Sequence, residues 1–128
     1  MQAELPFFEC AEDALRSAVQ ALGGAKVVGA KVYPDKSPDR AAQVLLDCLN
    51  TSRPEKLELS QVLLVLRLAR DAGHHAPMQW LAGEVGYEAK PVTKAEEADR
   101  LALVVEQSTK TLSSALAALE RLHRVRAA

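Results

Sequence analysis

Apolar residues recur along most of this chain at intervals of three and four, the spacing that places them on one face of an α-helix. Between Glu9 and Leu22, Cys10, Ala14, Leu15, Ala18, Val19 and Leu22 share such a face, and Gly23-Gly24 punctuates the segment. A shorter stretch, Ala25 to Val32, carries Val27, Val28 and Val32. It stops at Tyr33-Pro34, because the residue before a proline is pushed out of helical backbone space. The third segment has the clearest start: Ser37 is a capping residue, Pro38 suits the first helical position, and Asp39 complements the positive helix end. It runs to about Leu49, with Ala41, Val44, Leu45, Cys48 and Leu49 on one face and Asp39, Arg40, Gln43 and Asp47 largely off it.

A polar connection from Thr51 to Lys56 leads to a fourth helix, opening at Leu59-Ser60 and ending at Gly73. Apolar nearly all round, it is expected to be the central, buried helix of the domain, with Arg67 and Arg70 on what remains of its polar side. A fifth, from Pro77 to about Val85, contributes Met78, Trp80, Leu81 and Val85 before Gly86. Five short helices predict a compact orthogonal bundle.

The tail differs in kind. From Thr93 to about Arg126 it has no Gly or Pro, and it opens with Thr93-Lys94-Ala95-Glu96 in capping-box spacing. Leu101, Val105, Ser108, Leu112, Ala115, Leu119 and Leu122 alternate spacings of four and three, the a/d seam of a coiled coil, and Val104, Leu116 and Val125 widen the stripe. The stripe has two readings, packing on the bundle or self-association; the second is favoured, as a dimer or a tetramer.

Composition agrees with an all-α chain: 48% of residues are hydrophobic but only 4% aromatic, so the apolar content is mostly Ala, Leu and Val, which argues against a β-sandwich or barrel. At 128 residues one domain with an appended element is expected: a bundle over 1–90 and an oligomerising helix over 91–128. Apolar runs such as Val62 to Leu66 fall far short of the roughly 20 residues that span a bilayer. The acidic N-terminus lacks the basic region of a secretory signal, and Cys10 and Cys48 have no CxxC partner. A cytoplasmic protein with reduced core thiols and no membrane association is therefore expected.

The formal charge of −1 gives no global field for a polyanion, but its distribution is uneven. Glu4, Glu9, Glu12 and Asp13 against Arg16 leave residues 1–19 at −3, whereas Lys26, Lys31, Lys36, Arg40, Arg53 and Lys56 against Asp35, Asp39, Asp47 and Glu55 leave residues 20–57 at +2.

Catalytic and metal chemistry find no constellation. His74, His75 and His123 lack zinc spacing, and the adjacent pair reads as solvent-facing loop residues. Gly23-Gly24 with Lys26 lacks the phosphate-loop pattern, Cys48 and Ser108 lie on apolar faces, and Glu96, Glu97 and Asp99 form a solvated first turn. No enzyme activity, metal or cofactor is expected. A ligand-binding role has no support beyond Trp80, Tyr33 and the histidine pair, and Trp80 is read as a core or interface residue.

What remains is the order of the first four helices, which is that of a repressor-type helix-turn-helix. In that geometry the start of the third helix enters the major groove. Lys36, Ser37, Arg40 and Gln43 are then the base-reading candidates, Arg40 suited to guanine and Gln43 to adenine. Lys26, Lys31, Arg53 and Lys56 are the phosphate-contact candidates. Asp35 and Asp39 would face the polyanion, and the turn lacks a small residue at its tight corner. The competing reading is a non-catalytic helical adaptor whose C-terminal helix binds another protein.

The run Leu22-Gly23-Gly24-Ala25-Lys26-Val27-Val28-Gly29, then Tyr33-Pro34-Asp35-Lys36-Ser37-Pro38, then LLDCLN from Leu45 to Asn50 and LELSQVLLVLRLA from Leu57 to Ala69, resembles the bacteriophage CII-type regulatory protein family. The resemblance covers about residues 10–86 and, in layout only, the tail. It implies a small phage or prophage transcription regulator that binds double-stranded operator DNA as an oligomer, with Lys36, Ser37, Arg40 and Gln43 at the start of the recognition helix.

Overall fold

A computed structural model describes residues 7–127, so that Glu4 and the rest of the extreme N-terminus, counted in the acidic balance above, lie outside the described residues. Six helices and no strand are present among the described residues: α1 Ala11–Ala21, α2 Ala25–Val32, α3 Pro38–Cys48, α4 Leu59–Asp71, α5 Ala76–Glu84 and α6 Lys94–Ala127. The chain divides into two units, Met1–Pro91, which holds α1 to α5, and Val92–Ala128, which holds α6.

Local chemistry accounts for the helix ends. After α1 the amide of Gly24 donates to the Val19 carbonyl (2.9 Å) and that of Gly23 to Gln20 (3.2 Å), closing the last turn with Gly23 at φ 107°, a left-handed conformation that a side chain would strain. Ser37 caps α3, its hydroxyl accepting from the Arg40 amide at 3.4 Å, with Pro38 following. At the start of α4 the Glu58 amide donates to the Gln61 side chain at 2.8 Å. Thr93 caps α6 by accepting from the Glu96 amide at 3.1 Å.

The core joins Leu15, Ala18 and Val19 of α1, Val28 and Val32 of α2, Leu45 with the adjoining Leu49, and Val65 and Ala69 of α4. The closest helix crossing is between α2 and α3, and it depends on Gly29. A Cβ built there would stand 2.9 Å from the Ala41 carbonyl carbon, 3.0 Å from its oxygen and 3.0 Å from the Ala42 nitrogen. Hydrogen alone fits, so two backbones pack directly and Ala41 is fully buried beneath.

Three expectations are corrected. The fourth helix is not the central one: α4 packs on α1 and α2 and fully buries only Val65 and Ala69, leaving Leu59 74% and Leu63 50% exposed. Its leucines point in every direction, but the neighbours cover one side. Cys10, at the N-terminal cap of α1, is only half-buried, whereas Cys48 is core. The histidine pair is half-buried rather than solvent-facing. The left-handed Gly73 reverses the chain after α4, and the His74 ring returns to α1, its Nε2 lying 2.9 Å from Ser17 Oγ. Trp80 meets Phe8 edge-on, ring centroids 6.0 Å apart.

The two helical glycines should respond oppositely to alanine. Gly29→Ala gains at most about 1 kcal/mol of helix propensity. It incurs an overpacking cost of about 1–3 kcal/mol, near the upper end because the obstructing atoms are backbone, so net destabilisation is expected. Gly83, within α5, has no atom within 4 Å of an added Cβ, and Gly83→Ala should stabilise by roughly 0.5–1 kcal/mol. Thermal and urea denaturation of both variants checks the contrast; a Gly29→Ala protein as stable as its parent would refute the backbone crossing.

Candidate nucleic-acid interface

The connection from Tyr33 to Ser37 is anchored from beneath by Tyr33. Its hydroxyl shares a hydrogen bond with Cys48 Sγ at 3.6 Å, tying the end of α2 to the end of α3. Burial, this hydrogen bond and the negative potentials of Cys48 and Glu58 push the phenol up to about 12. Above the ring, the Lys36 ammonium lies 5.9 Å from the centroid, within cation–π range. The loop is therefore held on both faces, and the first turn of α3 starts from a fixed point.

All four base-reading candidates are exposed, but they differ in freedom. Ser37 spends its hydroxyl on the cap. Gln43 donates to Asp47 Oδ1 at 3.0 Å, which engages the amide group that adenine recognition needs. Lys36 is drawn over Tyr33. Arg40, exposed in the first turn of α3, has no ion-pair partner among the described residues.

The phosphate candidates also divide. Arg53 forms a fork with Glu55 at 3.1 and 3.2 Å and lies 3.8 Å from Asp47; this hydrogen-bonded pairing holds the Glu55 carboxyl below its ordinary range. Lys56 reaches Glu12 at 3.5 Å and donates to the Asn50 carbonyl at 3.1 Å. Both residues thus serve the loop after α3, which also turns through the Ser52 amide donating to Asn50 Oδ1 at 2.9 Å. The Glu12 carboxyl is lowered, first by a hydrogen bond from its own backbone amide, with Cys10 and Lys56 adding. Lys26 pairs with Asp39 at 3.3 Å across the α2–α3 crossing. Lys31, exposed in the last turn of α2, has no ion-pair partner among the described residues.

Two roles escaped the sequence reading. Gly29 lies within α2 at the helix crossing rather than in the turn, and a glycine inside a helix, which costs about 1 kcal/mol against alanine, was the available signal. Asp39 was read as complementing the positive end of α3 and as a charge facing the polyanion, with no partner of its own. Its pairing with Lys26, thirteen positions away, left no sequence signal.

In the second unit, Leu101, Val105, Leu112, Leu119 and Leu122 of the proposed seam and the flanking Val104, Leu116 and Val125 are between 51% and 74% exposed, with Ser108 and Ala115 also exposed. Glu106 with Lys110 and Glu120 with Arg124 form i,i+4 pairs off the seam. No described helix is long and apolar enough to cross a membrane. No protein-family model, curated protein or solved structure matches this chain.

The Tyr33 phenol offers a direct check on the anchor. Because its neutral form is favoured in the fold, its stabilising contribution is intact below about 10 and is lost as pH rises from there toward about 12. Alkaline titration followed by phenolate absorbance should show a late-ionising tyrosine that is absent in Tyr33→Phe. A parent curve lacking that late step would refute the buried contact with Cys48.

Proposed function

We propose that this chain is a sequence-reading DNA-binding protein of the CII type, a small transcription regulator that acts as an oligomer. One observation carries the reading. The α2–α3 pair, locked at Gly29 and Ala41, presents the first turn of α3 outward with Arg40 exposed and uncommitted. A planar guanidinium there has the donor geometry for guanine O6 and N7 in a major groove. Lys31 supplies a phosphate contact beside it, and Lys36, drawn over Tyr33, stays a base-reading candidate next to Arg40. Such contacts are few, so one copy binds weakly, and a second copy joined through α6 doubles them and places two readers on half-sites roughly 34 Å apart.

The adaptor reading draws support from the carboxylates that engage Arg53, Lys56 and Lys26, and from the apolar stripe of α6, which a different protein would cover equally well. Selection from a pool of random DNA duplexes at about 50 mM salt, followed by sequencing, separates the two readings, because salt steeply suppresses weak phosphate contacts. An enriched repeat with half-sites one helical turn apart is expected. No retention at that salt would overturn DNA binding in favour of the adaptor.

Within the DNA reading, Arg40→Ala should lose about 1–3 kcal/mol on the selected site and far less on random duplex. Lys31→Ala should weaken both equally and reduce the salt slope by about 1. Equal losses on both duplexes for Arg40→Ala would remove its base-reading role. Leu112→Asp, which sets a charge in the apolar seam, should shift sedimentation to monomer and weaken DNA retention with it. A variant that stays fully oligomeric would refute the seam.

A further inference from the structure

We propose that Asp39 is a specificity-determining residue that reads cytosine, and that Lys26 is the counter-ion allowing a carboxylate to stand in the groove; this rests on the DNA-binding reading above. Lys26 lies in the first turn of α2 and Asp39 in the first turn of α3, and the close crossing at Gly29 brings their side chains to 3.3 Å. Asp39 is the residue before Arg40, and its side chain is 92% exposed. An uncompensated carboxylate at that place would be repelled by the phosphates on either side of a groove. Paired with Lys26 it presents no net charge at distance, while at contact it remains an acceptor.

The chemistry then selects the base. Lys26 engages Oδ1, and an ionised carboxylate keeps further lone pairs, most of all on Oδ2, with no proton to donate. Its complement is an N–H donor on a base edge. Guanine and thymine present only acceptors in the major groove; adenine presents its N6 donor beside its own N7 acceptor, which repels a carboxylate; cytosine presents the N4 donor with no acceptor on its own edge. Asp39 therefore favours cytosine where Arg40 favours guanine, and each half-site contains a read cytosine next to or near a read guanine. Gln43, engaged with Asp47, leaves adenine without a dedicated reader on this turn.

The same exposure that makes Asp39 a reader makes both partners safe to change, and thermal melting is the control that each variant is folded. Selection and sequencing with the wild-type protein should enrich one cytosine per half-site. D39N should lose that preference by about tenfold and turn it toward adenine, whose N6 and N7 an amide pairs with. On the wild-type site, K26M should weaken binding about tenfold, but by about twofold or less in the D39N background, because there is no longer a bare carboxylate to expose. An unchanged enriched sequence in D39N overturns the cytosine assignment. Equal losses for K26M in the two backgrounds overturn the counter-ion role and return Lys26 to an ordinary phosphate contact. Failure of the wild-type protein to retain any duplex overturns the DNA reading itself, a result distinct from both.

Discussion

The contact between Gly29 and the backbone of Ala41 is the constraint on which the first unit depends. Helices normally pack through side chains at interaxial distances of about 8–10 Å, so a crossing in which one backbone meets another demands a residue without a Cβ. The rest of the α2–α3 geometry follows from that approach. Tyr33 at the end of α2 reaches Cys48 in the last turn of α3, Lys26 at the start of α2 reaches Asp39 at the start of α3, and Ala41 and Leu45 are fully enclosed. The first turn of α3 is left facing solvent because its buried face is already satisfied.

Electrostatics around this pair act at short range. Much of the local basic excess is tied to carboxylates, through Arg53 with Glu55, Lys56 with Glu12 and Lys26 with Asp39. Pairs this exposed contribute little to stability, because solvent screens them. Their larger effect is to cancel one another's field, so that a polyanion a Debye length away meets little attraction, and recognition would come from matched donors and acceptors at contact. On the proposed function, a reader of this kind would gain most from being doubled, which would connect the modest charge of the first unit to the apolar surface of the second.

That surface has a composition unlike a simple two-stranded zipper. Charged residues at the positions flanking an a/d seam commonly set pairing in dimers, but here Val104, Thr111, Ala118 and Val125 line one flank and Ala102, Thr109 and Leu116 most of the other. Between Leu101 and Val125 charge is confined to the opposite side, where Glu106 with Lys110 and Glu120 with Arg124 support the helix locally. Burying such a broad stripe needs either more than two helices or a broad apolar partner surface. Exposed apolar area of this extent is the ordinary mark of an association surface.

The helices themselves were legible in the sequence because their causes are local. Three-and-four spacing, the Ser37-Pro38 start, Gly23 after α1 and the Thr93–Glu96 cap act within a turn or two of chain, and the observed bounds fall within about two residues of the expected ones. Exposure of Lys36, Ser37, Arg40 and Gln43 followed from the same periodicity. Even the Gln43–Asp47 bond, an i,i+4 pair, was available in principle. Only the tertiary structure decided which side of α4 is covered, since an all-round apolar helix carries no mark of where its neighbours stand. It decided equally that His74 reaches Ser17, that Lys56 reaches Glu12 and that Lys26 neutralises Asp39. Those contacts join residues far apart along the chain, and their distances are set by how closely helices cross, a quantity that in α2 and α3 turns on the missing Cβ of Gly29.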